Sequence, residues 1–122
     1  MLTGKDWQTA EKRGREWMEN NPHAVSAVYL PYLKRIMVTL NTGIEVAIDP
    51  SRLQTFQDAK PSMLREIEIT PMGDALFFPK LEDGIYLPGV LRGVYGTRRW
   101  MESQIRSKRS ASSPVKARRV AA

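Results

Sequence analysis

The spacing of apolar residues changes from a helical period to a period of two near the proline at position 22. Before that proline, apolar and small residues recur three or four positions apart; they are Trp7, Ala10, Gly14, Trp17 and Met18. This spacing predicts a helix that ends at Asn20-Asn21-Pro22, because proline lacks an amide donor and restricts the residue before it. Thr3 and Asp6 form a capping arrangement for its start. A helix followed by alternating segments indicates a mixed α+β fold.

The alternating segments that follow predict two groups of antiparallel strands. Strands are expected at 24–29, 36–41, 44–48, 66–70 and 75–79. The loop Asn41-Thr42-Gly43 joins the second strand to the third, and its glycine is expected to take a positive φ. The turn Thr70-Pro71-Met72-Gly73 joins the last two strands. We therefore expect a small antiparallel sheet of about five strands, made of a meander and a hairpin.

Short helices are expected between and after these strands. Asp49-Pro50 predicts the start of one, with Leu53 and Phe56 facing inward, and a further turn is expected at 62–65. The segment 81–88 is interpreted as a connection into a short helix that carries Val90 and Leu91.

Thr97 can cap a last helix, and its apolar side is expected to carry Trp100, Met101, Gln104 and Ile105. Trp100 is expected more often to dock on the domain than to stack on a base. The organisation predicted is an N-terminal helix at 1–22, an α+β domain at 23–96, a basic amphipathic helix at 97–107 and a basic disordered tail at 108–122.

Positive charge is concentrated at the C-terminal end of the chain. Of the net charge of +6, residues 98–122 contribute eight basic side chains against Glu102 alone, so the preceding 97 residues are close to neutral. Such a segment can neutralise phosphates and bind nucleic acid in a salt-sensitive way. The candidate nucleic-acid-binding residues are Arg98, Arg99, Arg106, Lys108, Arg109, Lys116, Arg118 and Arg119. A solubilising tail without a binding role is the alternative.

Recognisable catalytic, metal and membrane-spanning motifs are missing from the sequence. The chain has no cysteine, and its single histidine, His23, has no partner motif, so we expect no metal, no cofactor and a reducing, cytoplasmic location. No apolar stretch is long enough to span a bilayer, so we expect no membrane partner. Glu66 and Glu68 point to the same side of a predicted strand, and this alternation favours solvent exposure of both side chains. A remote hypothesis is an enzyme that uses Glu82, Asp83 and Tyr86.

Between Ala24 and Gly93 the chain resembles the bacterial family DUF2442, whose members have no assigned function. The stretches that carry the resemblance are 25–29, 36–46, 76–85 and 90–93. The family pattern has tryptophan where Phe78 stands, and an additional acid where Gly84 stands. The resemblance implies a small α+β domain without established enzymatic activity, often encoded beside a partner of the DUF4160 type in what look like toxin–antitoxin pairs.

The favoured hypothesis is a non-enzymatic, antitoxin-like regulatory protein. It would bind a toxin-like protein partner and contact DNA or RNA through its basic C-terminal segment. The candidate partner-binding residues are Trp100, Glu82 and Asp83. The alternative is a stand-alone nucleic-acid-binding accessory protein of a mobile element or phage. Some members of the family carry a helix-turn-helix domain, but the residues after Gly96 are too few for a complete one. The oligomeric state stays open.

Overall fold

A computed structural model describes residues 4–106 of the chain. The cap residue Thr3 and the predicted tail, with its candidate residues Lys108, Arg109, Lys116, Arg118 and Arg119, lie outside the described residues. Helix α1 spans Gly4–Asn20, so the predicted end is confirmed. The side chains of Asn20 and Asn21 donate hydrogen bonds to the carbonyl oxygens of Glu16 and Trp17, which satisfies two acceptors of the last turn.

The predicted apolar face of α1 contacts the rest of the molecule over only part of its length. No residue of this helix is fully buried, and Trp7 is 61% exposed. Gly14 lies close to Met72, and the ring of Trp17 lies 6.4 Å from that of His23. The C-terminal half of α1 therefore rests on the domain, while the N-terminal half extends from it.

The first three strands form an antiparallel meander with the order β1-β2-β3. Strand β1 spans Ala24–Leu30, β2 spans Arg35–Leu40 and β3 spans Glu45–Ile48. Gly43 closes the predicted hairpin loop with a φ of 88°. A bulge between Ala24 and Ser26 interrupts the simple alternation of β1, so Ala24 and Tyr29 are both buried.

The next three strands form a second antiparallel sheet with the order β4-β5-β6. Strand β4 spans Glu68–Ile69, β5 spans Ala75–Phe78 and β6 spans Asp83–Tyr86. The prediction of one sheet with about five strands is therefore wrong in number, because the described chain has six strands in two sheets. Part of the predicted connection is β6: Glu82, at a φ of 56°, turns the chain so that Asp83 pairs with Phe78.

Short helical segments lie between the two sheets in the chain and after the last strand. The helix expected after Asp49 is only a 3-10 turn at Pro50–Arg52, although Asp49 caps it as predicted. Helix α2 spans Pro61–Leu64, α3 spans Leu87–Leu91, and α4 covers residues 98–106. Within residues 4–106 no helix combines the length and apolarity needed to cross a membrane.

Both sheets contribute to one apolar core. It contains side chains from both sheets and from the turns and short helices around them; they are Ala24, Tyr29, Ile36, Val38, Leu40, Ile48, Leu53, Phe56, Leu64, Leu76, Phe78, Ile85 and Leu87. The rings of Phe56 and Phe78 meet edge to face with centroids 5.1 Å apart. The Ala24 N–H donates to the Gly73 carbonyl over 2.8 Å, which ties β1 to the second hairpin.

Candidate functional site

The start of α4 is attached to the domain by a polar side chain from a distant turn. The Gln54 Oε1 atom accepts a hydrogen bond from the Thr97 N–H over 2.8 Å, and the Gln54 N–H donates to the Tyr95 carbonyl over 3.0 Å. Thr97 caps the helix as predicted, because its Oγ1 accepts from the Trp100 N–H. These bonds hold the first turn of α4 against the segment 50–56.

The apolar side of α4 packs at its N-terminal end. A Cβ atom added at Gly96 would lie 2.8 Å from Cε3 of Trp100, so the indole ring occupies the space that this glycine leaves. The Met101 sulfur accepts a hydrogen bond from the Tyr95 N–H over 3.4 Å. The half-buried Trp100 therefore packs against the backbone at Gly96, where the domain meets α4.

An apolar depression of about 400 Å³, called here the C-terminal groove, lies between α4 and the domain. Its lining residues are Arg52, Gly93, Tyr95, Trp100, Met101, Gln104 and Ile105. Ile105 remains 55% exposed at the far end of the groove. The groove thus presents apolar surface that the described residues leave open to solvent.

A second depression of about 370 Å³, called here the edge groove, runs beside strand β3. Its lining residues are Val46, Ala47, Ile48, Asp49, Arg52, Leu53, Val90, Leu91 and Tyr95. Arg52 and Tyr95 line both grooves, so the two depressions meet at these side chains. Apolar surface therefore continues from the edge of the first sheet to α4.

The carboxylate of Asp49 at the edge groove is held by its own neighbours. Partial burial raises the pKa of Asp49, but hydrogen bonds from the Ser51 hydroxyl and N–H, together with the charges of Arg35 and Arg52, outweigh it. The net effect is a lowered pKa. Asp49 Oδ2 lies 3.4 Å from Arg35 Nη1. The carboxylate is therefore ionised near neutral pH and already has partners.

The described arginines of the predicted nucleic-acid-binding set project from α4. Arg98 pairs with Glu102 one turn later, with 3.5 Å between Nε and Oε1, although its side chain is 93% exposed. Arg99 and Arg106 are also exposed, and neither takes part in an ion pair within residues 4–106. Arg99 and Arg106 thus lie away from the groove-lining side of α4, whereas Arg98, seven residues before Ile105, lies beside that side.

The acidic candidates lie elsewhere in the molecule. Glu82 is exposed at the turn between β5 and β6, and the Asp83 carboxylate accepts a hydrogen bond from the Gly84 N–H over 2.8 Å. Neither residue lines the C-terminal groove, which Trp100 borders, or the edge groove, so the structure does not bring the three partner-binding candidates together.

No group of three or more His, Asp or Glu side chains that could hold a metal ion is found in the part of the chain described. The His23 Nδ1 atom lies 3.1 Å from the carbonyl oxygen of Asn21.

Three residues that sequence reasoning missed define the site: Arg52, Gln54 and Tyr95. They lie in a 3-10 turn and in loops, where local apolar spacing does not indicate contact with a distant helix. Gln54 is 43 positions from its partner Thr97. In the sequence, Gln54 is marked only by its place between two inward-facing residues, Leu53 and Phe56. This signal does not indicate a partner for its side chain.

We expect Gln54→Ala to loosen α4 while leaving the domain folded. The variant removes the acceptor of the Thr97 N–H, and a hydrogen bond of this kind contributes about 0.5–1.5 kcal/mol. Backbone amides of α4, including that of Met101, should exchange with deuterium several-fold faster. Gln57→Ala is the matched control, because Gln57 is exposed three residues later. Equal exchange rates in the two variants would show that Gln54 does not anchor the helix.

Comparisons with known proteins identify the family of the domain. The profile of the protein family of unknown function DUF2442 matches residues 24–96. A protein of unknown function from Rhodospirillum rubrum has a crystal structure similar to this chain, with 33% identity and a TM-score of 0.64 over 67% of this chain and 99% of the other.

The solution structure of an uncharacterized protein from Chromobacterium violaceum is similar at 29% identity and a TM-score of 0.63. That alignment covers 85% of this chain and 95% of the other. None of the curated proteins matches the chain. Since the family profile covers more than half of the chain, and since the two sheets and their core lie within the matched residues, the protein belongs to the DUF2442 family.

Proposed function

We propose that the protein is a cytoplasmic, non-enzymatic regulatory protein, antitoxin-like, that binds a partner protein and contacts nucleic acid through its basic C-terminal segment. The observation that carries this proposal is the arrangement of α4. One side of this helix borders an apolar groove, and another side carries exposed arginines. Such a helix can contact a protein surface and a phosphate backbone at the same time.

The apolar surface around α4 supports the protein-binding part of the proposal. Tyr95 and Ile105 border the C-terminal groove and are both more than two fifths exposed, and Leu91 is similarly exposed beside them in the edge groove. Contiguous apolar surface bordered by polar side chains is typical of protein interaction sites. Burial of this apolar surface by a partner would stabilise the complex.

Co-expression with a DUF4160-type protein, the partner that the family resemblance implies, tests the antitoxin role. We expect a stable complex and relief of the partner's toxicity. Ile105→Asp should weaken the complex at least tenfold, because it places a charge in the C-terminal groove. Val28→Asp is the matched control, since Val28 is 52% exposed on β1 and lines neither groove. Absence of a complex and of any relief of toxicity would remove the antitoxin role.

The nucleic-acid part of the proposal predicts binding that depends on salt. Arg99 and Arg106 are exposed and have no ion-pair partner within residues 4–106, so phosphate groups can reach them. The logarithm of the binding constant should fall with the logarithm of salt concentration by about 0.9 for each duplex phosphate neutralised.

Full-length protein should be compared with chains truncated after residue 106 and after Thr97, using duplex DNA, single-stranded DNA and RNA. Truncation after Thr97 is expected to abolish binding, and the intermediate chain separates the contribution of α4 from that of the tail. Arg99→Glu should weaken binding more than Arg13→Glu, which changes the same charge on α1. Binding that is independent of salt would exclude the phosphate-neutralising role. In that case the alternative hypothesis, a stand-alone nucleic-acid-binding accessory protein, would fail as well.

A further inference from the structure

Strand β3 is an edge of the first sheet, and the hairpin before it fixes which of its backbone groups point outward. The Leu40 N–H donates to the Ile44 carbonyl oxygen over 2.9 Å, and β3 is the last strand of the order β1-β2-β3. Hydrogen-bonded and non-hydrogen-bonded pairs alternate in an antiparallel ladder, so Val46 is in a hydrogen-bonded pair with β2. The N–H and C=O groups of Glu45 and Ala47 therefore point away from the sheet.

These outward backbone groups have no backbone partner among residues 4–106. Edge strands of folded proteins are commonly protected by lysine, proline, bulges or a covering segment. Residues 45–48 include no lysine, no proline and no bulge, and Ala47 is exposed. Strand β1, at the other edge, has a bulge, and its Ala24 N–H already donates to the Gly73 carbonyl. Of the two edges of this sheet, β3 is the one open to another strand.

The charges at the edge of β3 balance each other. The basic side chains there are those of Arg35 and Arg52, and the acidic ones are those of Glu45 and Asp49. The edge therefore does not select a strand of either charge. Residues 1–97 of the chain are themselves close to neutral, because the positive charge follows them, so the domain of a second copy meets no net repulsion at this edge.

The edge is complementary to itself in one antiparallel register. With Val46 opposite Val46 of a second copy, Glu45 of each copy lies opposite Ala47 of the other. Both residues direct their backbone groups outward, so each such pair can exchange both of its N–H···O bonds. A shift of two residues in either direction would place Glu45 opposite Glu45 or Asp49 of the second copy. Like charges directly opposite each other destabilise a ladder, which favours the register centred on Val46.

The same register gives an exposed isoleucine a place to be buried. Ile44 bonds across the hairpin to the buried Leu40 and so lies on the core face of the sheet, yet it is 62% exposed and lines neither groove. In this register Ile44 of the second copy lies opposite Ile48, which lines the edge groove together with Val46. Cβ atoms of directly opposite residues are about 4.5–5.5 Å apart. Ile44 of each copy therefore enters the edge groove of the other.

We propose that two copies of the protein associate about a two-fold axis by antiparallel pairing of their β3 strands, in the register centred on Val46. This pairing joins the two three-stranded sheets into one continuous sheet. Ile44 of each copy fills part of the edge groove of the other copy. The inference concerns self-association and does not depend on the role proposed for α4.

Disulfide cross-linking of single-cysteine variants tests the register, because the chain has no cysteine of its own. Val46→Cys should give a cross-linked dimer on mild oxidation, since the two cysteines would lie directly opposite each other. Ala47→Cys is the matched control and should cross-link at least about tenfold more slowly, because Ala47 lies opposite Glu45 in this register. Random collisions would give the reverse order, since Ala47 is more exposed than Val46. Equal or faster cross-linking of Ala47→Cys overturns the proposal.

Sedimentation of the full-length protein over a series of concentrations measures the association, and an equilibrium between monomer and dimer is expected. Ile44→Lys should raise the dissociation constant of the dimer at least about tenfold, because it places a charge in an apolar groove. Val28→Lys is the matched control, since Val28 is 52% exposed on β1. Ile105→Asp should also leave the dimer unchanged, which separates this contact from the C-terminal groove. A protein that stays monomeric, or equal effects of Ile44→Lys and Val28→Lys, overturns the proposal.

Hydrogen exchange and salt provide the last check. On dimerisation the Ala47 amide should exchange with deuterium at least about tenfold more slowly, whereas the Val46 amide, already bonded to β2, should change little. The dimer should persist at high salt, where binding to nucleic acid is weakened. A dimer that leaves Ala47 unprotected, or that dissociates at high salt because nucleic acid had bridged the two copies, would overturn pairing through β3.

Discussion

Replacing Phe78 by alanine is expected to lower the free energy of unfolding by about 3–5 kcal/mol, the range found for removal of a buried aromatic ring. Phe78 is fully buried in the core, and its ring meets that of Phe56 edge to face at 5.1 Å. The loss combines the transfer of the ring to water with the cavity that the surrounding side chains cannot fill. Urea denaturation followed by circular dichroism measures it.

Phe77→Ala is the matched control, because it removes the same side chain from the adjacent position of β5. Phe77 lies on the opposite face of the strand and is 40% exposed. We expect a loss of about 1 kcal/mol, since its removal leaves little or no cavity. Equal losses at the two positions would contradict the orientation of β5, because a shift of one residue in the strand exchanges its faces.

Gly73→Ala is expected to destabilise the domain by about 2–4 kcal/mol, because two separate costs add at this position. Gly73 has a φ of +70°, a region that residues with a Cβ rarely adopt. A Cβ atom would also lie 2.6 Å from the Ala24 carbonyl oxygen, which belongs to backbone and cannot rotate away. The clash falls where β1 and the second hairpin are joined. Thermal and urea unfolding measure the combined cost.

Gly43→Ala separates the two costs. Gly43 has a similar φ of +88°, but no atom lies within 4 Å of the position that its Cβ would take. This variant should therefore lose only about 1–2 kcal/mol, the cost of the left-handed conformation. If Gly73→Ala lowered the free energy of unfolding no more than Gly43→Ala does, the result would contradict the close approach between residues 24 and 73.

The two grooves differ in whether their lining residues lie within the range matched by the family profile. All residues that line the edge groove lie within the matched range 24–96, whereas Trp100, Met101, Gln104 and Ile105 of the C-terminal groove lie after it. The binding proposed for α4 would therefore depend largely on residues that follow the range matched by the family profile.

Local chemistry in the sequence predicts the individual elements well. Asn20-Asn21-Pro22 ends α1, Gly43 makes the hairpin loop, Asp49 caps a turn, and Thr97 caps α4. Each of these signals acts over about four residues, through a backbone angle or a side-chain hydrogen bond to a near neighbour. Such effects do not depend on the rest of the fold.

Strand β6 shows where this local reasoning stops. Asp83-Gly84-Ile85-Tyr86 has a glycine and a short alternating pattern, which is typical of a connection as much as of a strand. It is a strand because Glu82 turns the chain and β5 offers a free edge, with Gly84 fitting against the Leu76 carbonyl. The division into two sheets depends on such pairings.

The sequence alone therefore determined the class of fold, the C-terminal end of α1, the cap of α4 and the tight turn at Gly43. Those properties follow from the period of the apolar residues and from side chains that act on adjacent backbone. Tertiary structure alone decided the two-sheet arrangement, the open edge of β3 and the meeting of Arg52, Tyr95 and Trp100 around the grooves. These features depend on contacts between residues far apart in the chain, which packing of the common core selects.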